Sequence, residues 1–187
     1  MKQFVVIING KGKVGKDTLI DFVSERYCTI NISSIDIIKQ VASELGWDGT
    51  KNEKSRKFLS DMKKISSEYN NFPIRYVIDE YRRFKFSNEY IMFVHIREPE
   101  EIDKFITNLK EDKFFNNDTS IISLLITKDD IDNVVYGNNS DDNVENYDYD
   151  FIYNNNLPLD EAKEDFLKFF EDMLFTKYNT EEETIKK

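Results

Sequence analysis

The chain of 187 residues carries a formal net charge of −10, and 40% of its residues are hydrophobic. That length suits one domain with a sizeable core and is too short for two ordinary domains. The negative charge disfavours a nucleic-acid backbone or an anionic membrane surface as a partner. The chain has a single cysteine, Cys28, which excludes an internal disulfide. No segment has the ~20 apolar residues of a membrane span or the form of a signal peptide, so we expect a cytoplasmic protein.

The first predicted element is an apolar strand that leads directly into a glycine-rich loop. Residues 4–8 are apolar throughout, and residues 10–18 follow with a glycine, four further residues and then Gly-Lys. This is the spacing of a phosphate-binding loop between a buried strand and a helix. Glycines let backbone N–H groups wrap an anion, and the positive end of the helix points at the same phosphates. We predict that nucleotide phosphates contact Gly10, Lys11, Gly12, Lys13, Val14, Gly15, Lys16, Asp17 and Thr18.

The charges of this loop favour phosphate binding over the alternative, a glycine-rich turn that binds nothing. Lys11, Lys13 and Lys16 crowd one short loop of an acidic protein, which is easiest to understand when a polyanion is present. We expect Lys16 to neutralise the β- and γ-phosphates of ATP. Asp17 stands where a serine or threonine usually binds Mg²⁺; it either holds the metal or caps the helix. Thr18 supplies the only hydroxyl of the turn.

Apolar runs and helical patterns alternate along the rest of the chain. This alternation predicts a three-layer, doubly wound α/β fold, in which helices cover both faces of a five-stranded parallel sheet. The predicted strands are 4–8, 29–32, 90–96, 120–126 and 150–153, and the predicted helices lie near 16–27, 35–45, 53–70, 73–86, 99–110 and 159–178. Residues 127–149 are polar and lack periodicity, so we expect a lid-like insert in a single domain at 1–178, followed by a flexible tail at 179–187.

Two classes of phosphate-loop protein are considered, nucleotide switches and kinases of small molecules. A GTPase would carry an Asp-x-x-Gly segment after the loop, and none follows. It would also carry Asn-Lys-x-Asp to read guanine, and residues 127–130, Thr-Lys-Asp-Asp, are a near match. Since the Asp-x-x-Gly segment is missing, we favour the kinase class.

The loop ending, Gly-Lys-Asp-Thr at 15–18, resembles the phage-type deoxynucleoside monophosphate kinases and the animal-type phosphomevalonate kinases. Both have Gly-Lys-Asp where most relatives have Gly-Lys-Ser or Gly-Lys-Thr. Residues 34–42 are similar to the Ala-Asp-Pro-(Ile/Leu)-Lys-x-x-Ala run of the deoxynucleotide kinases. Asp36 and Lys39 match that run, whereas its proline and first alanine are absent here.

Three later segments extend the resemblance, which runs discontinuously from about residue 4 to 175. Residues 54–59 are similar to an Arg-x-Leu-Leu turn whose arginine, here Arg56, faces the acceptor. Residues 95–101 are similar to Asp-Val-Arg-Phe-Pro-Asn-Glu, with Arg97 on the matching position and His95 in place of the aspartate. Residues 140–152 resemble the lid exit and last strand. The lid departs from the family pattern, because 127–149 contains no arginine and one lysine, Lys128.

The resemblance implies a P-loop kinase that uses ATP and Mg²⁺ and has a small phosphorylated acceptor. Arg97 and Arg56 would grip the acceptor phosphate in a bidentate way. Asp36 would accept a hydrogen bond from the acceptor, act as a general base or orient the ligand, with Lys39 on the same helix face; its alternative role is helix capping. For His95 we favour a buried, hydrogen-bonded core role over catalysis.

The sequence therefore predicts ATP-dependent phosphoryl transfer to a (deoxy)nucleoside monophosphate, with Lys16, Arg97 and Asp36 as the catalytic residues and Asp17 as the metal ligand. Two alternatives stay open. One is a kinase for another phosphorylated metabolite, of the phosphomevalonate or dephospho-coenzyme A type. The other is a nucleotide-binding module without turnover, which the arginine-free lid favours.

Overall fold

The computed structural model describes residues 2–132 and 143–185. They form one five-stranded sheet whose strands are joined by helices and loops. The strands are β1 (Gln3–Asn9), β2 (Thr29–Ser33), β3 (Ile91–His95), β4 (Thr119–Thr127) and β5 (Phe151–Asn154). The helices are α1 (Lys16–Ser24), α2 (Asp36–Glu44), α3 (Glu53–Asn70), α4 (Phe72–Lys85), α5 (Pro99–Glu111), α6 (Asp129–Asp132) and α7 (Leu159–Ile185). Within these described ranges, no helix combines the length and apolarity needed to cross a membrane.

All five strands run parallel, in the order β2-β3-β1-β4-β5. The central position of β1 explains its composition, because a strand covered on both faces must be apolar throughout. Val5, Val6 and Ile7 are fully buried and Ile8 nearly so. The predicted doubly wound α/β fold is confirmed.

The side chains of β1 alternate between two apolar cores, one on each face of the sheet. Val5 and Ile7 lie in the core that α4 and α5 cover, with Tyr81 and Phe105 among its buried residues. Val6 and Ile8 lie in the opposite core, which includes residues of α1 and α7. The helices therefore form an outer layer on each side, as parallel crossover connections require.

The ends of several elements differ from the sequence prediction. The last helix was expected to end near residue 178, but α7 continues to Ile185. Glu181 explains the extension: its carboxylate pairs with Lys2 and also accepts a hydrogen bond from the buried hydroxyl of Ser120. A contact between residues this far apart in sequence leaves no local signal. The division into a domain at 1–178 and a flexible tail at 179–187 stays a prediction.

The predicted lid-like insert at 127–149 is covered only in part. Its first residues end β4 and form the short helix α6, and the chain is described again from residue 143. There Val144 and Tyr149 are buried, and the Tyr149 hydroxyl donates a hydrogen bond to the Val144 carbonyl at 2.7 Å. Residues 133–142 lie outside the described residues, and they include 140–142, the first part of the segment that resembles the lid exit and last strand.

The strand order places the predicted phosphate loop at the switch point of the sheet. From β1 the chain first builds β2 and β3 on one side and then β4 and β5 on the other. Ligands of open α/β sheets bind at the carboxyl ends of the strands beside such a reversal. The loop that follows β1 therefore lies in the crevice between the ends of β3 and β4.

Candidate phosphate-binding site at the carboxyl edge of the sheet

The loop from Gly10 to Gly15 has left-handed backbone at three positions. Gly10 has a φ of 145°, Lys13 of 70° and Gly15 of 92°. A Cβ added at Gly10 would lie 2.3 Å from the Ile126 carbonyl oxygen, and one at Gly15 would lie 2.5 Å from Nδ2 of Asn155. Gly10 is therefore required by close packing against backbone as well as by conformation, whereas at Gly15 the left-handed backbone is the firm requirement, because the close atom belongs to a side chain. Lys13 adopts a backbone conformation that L-residues rarely hold, and such positions cluster at ligand sites.

Lys16 begins α1 and folds back over the loop. Its Nζ lies 2.5 Å from the carbonyl oxygen of Gly10 and 2.9 Å from that of Lys11. The ammonium group is thus held at the centre of the loop, beside the positive end of α1. This arrangement concentrates positive charge where the backbone N–H groups of the loop converge, so the structure suits an anion.

The other lysines of the loop have different surroundings. Lys11 is buried, with 7% of its surface exposed, and its Nζ lies 3.1 Å from Oε1 of Glu145. It therefore links the loop to the segment that follows residue 142. Lys13 is exposed.

Asp17 and Thr18 occupy the first turn of α1, and both are exposed. Gly15 is the N-cap of this helix, which has no side-chain capping hydrogen bond. Oxygen donors of these two types suit Mg²⁺, which commonly takes one or two protein ligands together with substrate phosphates and water. Within the described ranges no three His, Cys, Asp or Glu side chains form a metal-binding cluster. The residues present therefore fit a metal held chiefly by nucleotide phosphates.

Asn9 connects the loop to the neighbouring strand end, a role that sequence reasoning missed. Its side chain is buried; Nδ2 donates to the Ile96 carbonyl at 2.9 Å and to the Arg97 carbonyl at 3.3 Å. Its Oδ1 accepts a hydrogen bond from the Gly10 N–H at 3.0 Å. One amide thus fixes the first glycine of the loop relative to the backbone that carries Arg97. A polar residue closing an apolar strand just before a glycine is the sequence signal that could have identified it.

His95, the only histidine of the chain, lies half-buried at this edge, at the end of β3. Its Nε2 lies 2.7 Å from Oδ1 of Asn31 on the adjacent strand. The pKa of His95 is lowered to about 4, chiefly by burial and next by the Lys16 ammonium, while the carboxylates of Asp17 and Asp36 oppose the shift. The imidazole is therefore neutral at pH 7. Its hydrogen bond to Asn31 agrees with the hydrogen-bonded role that we expected, and its role in catalysis stays untested.

The charged groups that affect the His95 ring show which of the predicted residues lie near one another. Lys16, Asp17, Asp36 and Arg97 all act electrostatically on the His95 ring. The strand register agrees, because His95 pairs with Ser33, three residues before Asp36, and Arg97 lies two residues after the end of β3. Arg97 is exposed at this edge. Lys16, Asp17, Asp36 and Arg97 therefore lie at the same edge of the sheet, within electrostatic range of His95.

Asp36 already has hydrogen-bond partners within the protein. One carboxylate oxygen accepts from the Ser33 N–H at 2.8 Å, and the other lies 3.1 Å from Nζ of Lys39. These contacts fix the turn between β2 and α2. The N-cap of α2 is Ile35, and the Asp36 carboxylate accepts from a strand residue and not from a helix N–H, so these contacts are not those of a helix cap. Arg56 is different: it is exposed on the first turns of α3, and within the described ranges its side chain contacts none of the other predicted residues.

Three consecutive asparagines at the end of β5 support the other side of the loop, and sequence reasoning missed them as well. Asn155 donates through Nδ2 to the Val14 carbonyl at 2.9 Å, beside Gly15. Asn154 donates to the carboxylate of Asp129 at 2.8 Å, and Asn156 accepts from the Asp129 N–H at 3.1 Å. These bonds hold the pKa of Asp129 below its usual value. The turn therefore joins the loop to the start of the lid-like segment.

Two cavities lie near these elements, and they differ in size and position. The larger, about 460 Å³, is a groove between α2 and α4 that contains no residue of the loop. The smaller, about 190 Å³, borders the loop at Gly15 and Thr18. Its other lining includes Phe22, Lys128, Asn155, Leu157 and Leu159. Of these two cavities, the smaller one therefore adjoins the loop and the larger one does not.

Comparisons with known proteins show the fold but no family. No protein family and no curated protein matches the chain. The structure is similar to the crystal structure of a candidate kinase of Chloroflexus aurantiacus J-10-fl, with a TM-score of 0.52. The match covers 92% of this chain and 98% of that one at 11% sequence identity. This chain therefore has the fold of that protein.

The pKa of His95 gives a prediction that needs no ligand. Because the folded pKa, about 4, lies below the reference value of 6.5, the unfolded chain binds the proton more readily between these values. Stability should therefore fall as the pH is lowered from 6.5 toward 4, and this contribution should be fully present above pH 6.5. NMR of the single imidazole should show titration near pH 4, and His95→Gln should remove this part of the pH dependence. Titration near 6.5 would contradict the described environment.

Proposed function

We propose that the protein transfers a phosphoryl group from ATP to a small phosphorylated acceptor, and that the acceptor is a (deoxy)nucleoside monophosphate. The observation that carries this proposal is the position of Lys16, which lies over a left-handed glycine loop at the sheet's switch point with Arg97 on the next strand end. A cation on each side of one crevice suits a reaction that joins two phosphorylated molecules. We expect it to act in the cytoplasm.

ATP would bind with its phosphates inside the loop. The N–H groups of the loop and the start of α1 would surround the β-phosphate, and Lys16 would leave the Gly10 carbonyl to contact the β- and γ-phosphates. The nucleoside would occupy the smaller cavity, between Phe22 and Leu157. Phosphoryl transfer needs positioning and charge stabilisation more than covalent chemistry, so a lysine at this point is the central requirement.

Mg²⁺ would be held by the nucleotide phosphates together with the first turn of α1. Asp17 is the proposed protein ligand, directly or through a water, and Thr18 is the alternative. The exposure of both side chains leaves them accessible to a bound ion, and Asp17 is not the N-cap of this helix, which is Gly15. The ion would offset phosphate charge as the phosphoryl group moves.

The acceptor would bind on the β2 and β3 side of the crevice. Arg97 would hold its phosphate with the two parallel hydrogen bonds that a guanidinium can make. Asp36 would orient the acceptor, with Lys39 holding the Asp36 carboxylate in place. A phosphate acceptor is already deprotonated, so this reaction needs no general base. Arg56 would complete the phosphate grip from α3.

A second candidate function is nucleotide binding without turnover. The observation that favours it is the composition of residues 127–149, which contain no arginine to clamp the moving phosphoryl group. A coupled assay of ATP consumption against a panel of nucleoside monophosphates, phosphomevalonate and dephospho-coenzyme A separates the candidates. Turnover with one acceptor class identifies the kinase and its substrate; tight ATP binding without turnover on any acceptor supports the binding module.

The donor half of the proposal is tested by Lys16→Ala. At an ATP concentration 100 times its Kd, the parent should gain about 2.7 kcal/mol of stability, and the variant should gain almost none. Lys168→Ala, which removes an exposed lysine of α7, is the matched control and should behave as the parent. Thermal unfolding with and without ATP measures all three proteins. An unchanged ATP effect in Lys16→Ala would refute the loop as the phosphate site.

The metal role is tested by Asp17→Asn, which removes a charge and preserves size. We expect roughly three- to tenfold weaker binding of Mg²⁺-ATP, equivalent to about 0.7–1.4 kcal/mol. Binding of ATP in the presence of a chelator should be equal or tighter, because a carboxylate beside a triphosphate repels it. Asparagine caps helices nearly as well as aspartate, so a capping role predicts little change in either titration. Calorimetry under both conditions distinguishes these outcomes.

A further inference from the structure

Helix α3 is the longest element between β2 and β3, and it contacts α2 and α4. Of its side chains only Ser55 is buried, while Ile65 and Tyr69 expose 65% and 85% of their surface. An exposed helix of this kind derives little stability from hydrophobic burial. Polar contacts can therefore contribute to its position.

A network of charged groups supplies such a contact. Nζ of Lys63 lies 2.5 Å from Oε2 of Glu98 and 2.7 Å from Oε2 of Glu101. Ser67, one turn later on α3, donates through its hydroxyl to Oε1 of Glu101 at 3.0 Å. The side chains of Lys63 and Glu101 are each 13% exposed, and that of Glu98 is 28% exposed. This is a largely desolvated cluster, unlike the exposed Lys57–Asp61 pair of the same helix.

The two carboxylates come from the segment that bears Arg97. Glu98 follows Arg97 directly and is the N-cap of α5, and Glu101 lies in the first turn of that helix. Both carboxylates lie at the positive end of α5, which favours their negative charge. Lys63 on α3 therefore contacts groups that α5 holds in place. Without Lys63, two like charges with little solvent would face each other, and the attraction between α3 and this turn would be lost.

The same network orients the rest of α3. Arg56 lies seven residues before Lys63, which is about two helical turns, so both side chains project from the same face. The face held against the Arg97 turn by Lys63 therefore also carries Arg56, about 10 Å along the helix axis. We propose that Lys63 is a positioning residue that docks α3 on the Arg97 turn and so sets the distance between Arg56 and Arg97. The docking stands by itself, whereas its effect on the acceptor rests on the proposed function.

The docking is tested without any ligand, by hydrogen exchange of the parent, Lys63→Met and Lys64→Met. Methionine keeps the length of the side chain and removes the charge, and Lys64 is an exposed neighbour that serves as the control. In Lys63→Met the amides of α3 should exchange roughly tenfold faster, while those of β1 and β4 are unchanged. Lys63→Arg should restore slow exchange in part, since it keeps the charge. Parent-like exchange of α3 in Lys63→Met would overturn the docking.

The effect on the acceptor is tested by calorimetry with the monophosphates dAMP, dGMP, dCMP and dTMP, using ATP as the internal control. For any monophosphate that the parent binds, Lys63→Met should raise the Kd roughly tenfold and leave the Kd of ATP unchanged. In turnover the change should appear in the KM of the acceptor more than in kcat. Unchanged acceptor binding despite a loosened α3 would overturn the positioning role alone. If the parent binds none of the four monophosphates, the proposed acceptor class is wrong, and the positioning role of Lys63 is wrong as well. The hydrogen-exchange experiment still tests whether Lys63 docks α3.

Discussion

The left-handed backbone of the glycine loop is the constraint on which the site depends. Gly10 and Gly15 both have positive φ, and a Cβ at Gly10 would lie 2.3 Å from the Ile126 carbonyl oxygen. The loop lies between the end of β4 and the turn after β5, where Asn155 donates to the Val14 carbonyl. A glycine loop of this conformation at a helix N-terminus favours an anion.

Polar side chains extend this arrangement across the carboxyl edge of the sheet. Asn9 joins the loop to the backbone of Arg97, and Asn155 joins it to the turn after β5. Positive charge from Lys16 reaches as far as His95, whose pKa it lowers, so the groups of the site share one electrostatic environment. In a chain of net charge −10, such a local concentration of cations is consistent with an anionic ligand.

The strands and the loop could be predicted from the sequence because their signals are local. Five apolar runs gave five strands in the predicted order of the chain, and the glycine spacing located the loop before any contact was known. Asn9, Asn155 and Lys63 could not be predicted in this way, because each acts through a partner distant in sequence. For His95 the alternating pattern predicted the face of the strand, but its hydrogen-bond partner Asn31 lies 64 residues earlier and left no local signal. The end of α7 was missed for a similar reason, as Glu181 pairs with Lys2.

The central claim is that one crevice binds both a nucleoside triphosphate and a phosphorylated acceptor. The most direct measurement is a crystal structure with a bisubstrate analogue in which five phosphates join adenosine to deoxythymidine. We expect the phosphates on the adenosine side to lie within the loop. Nζ of Lys16 should have moved from the Gly10 carbonyl to a phosphate oxygen, and Arg97 should contact the phosphate on the thymidine side. An analogue bound in the groove between α2 and α4, with Lys16 still on the loop carbonyls, would contradict it.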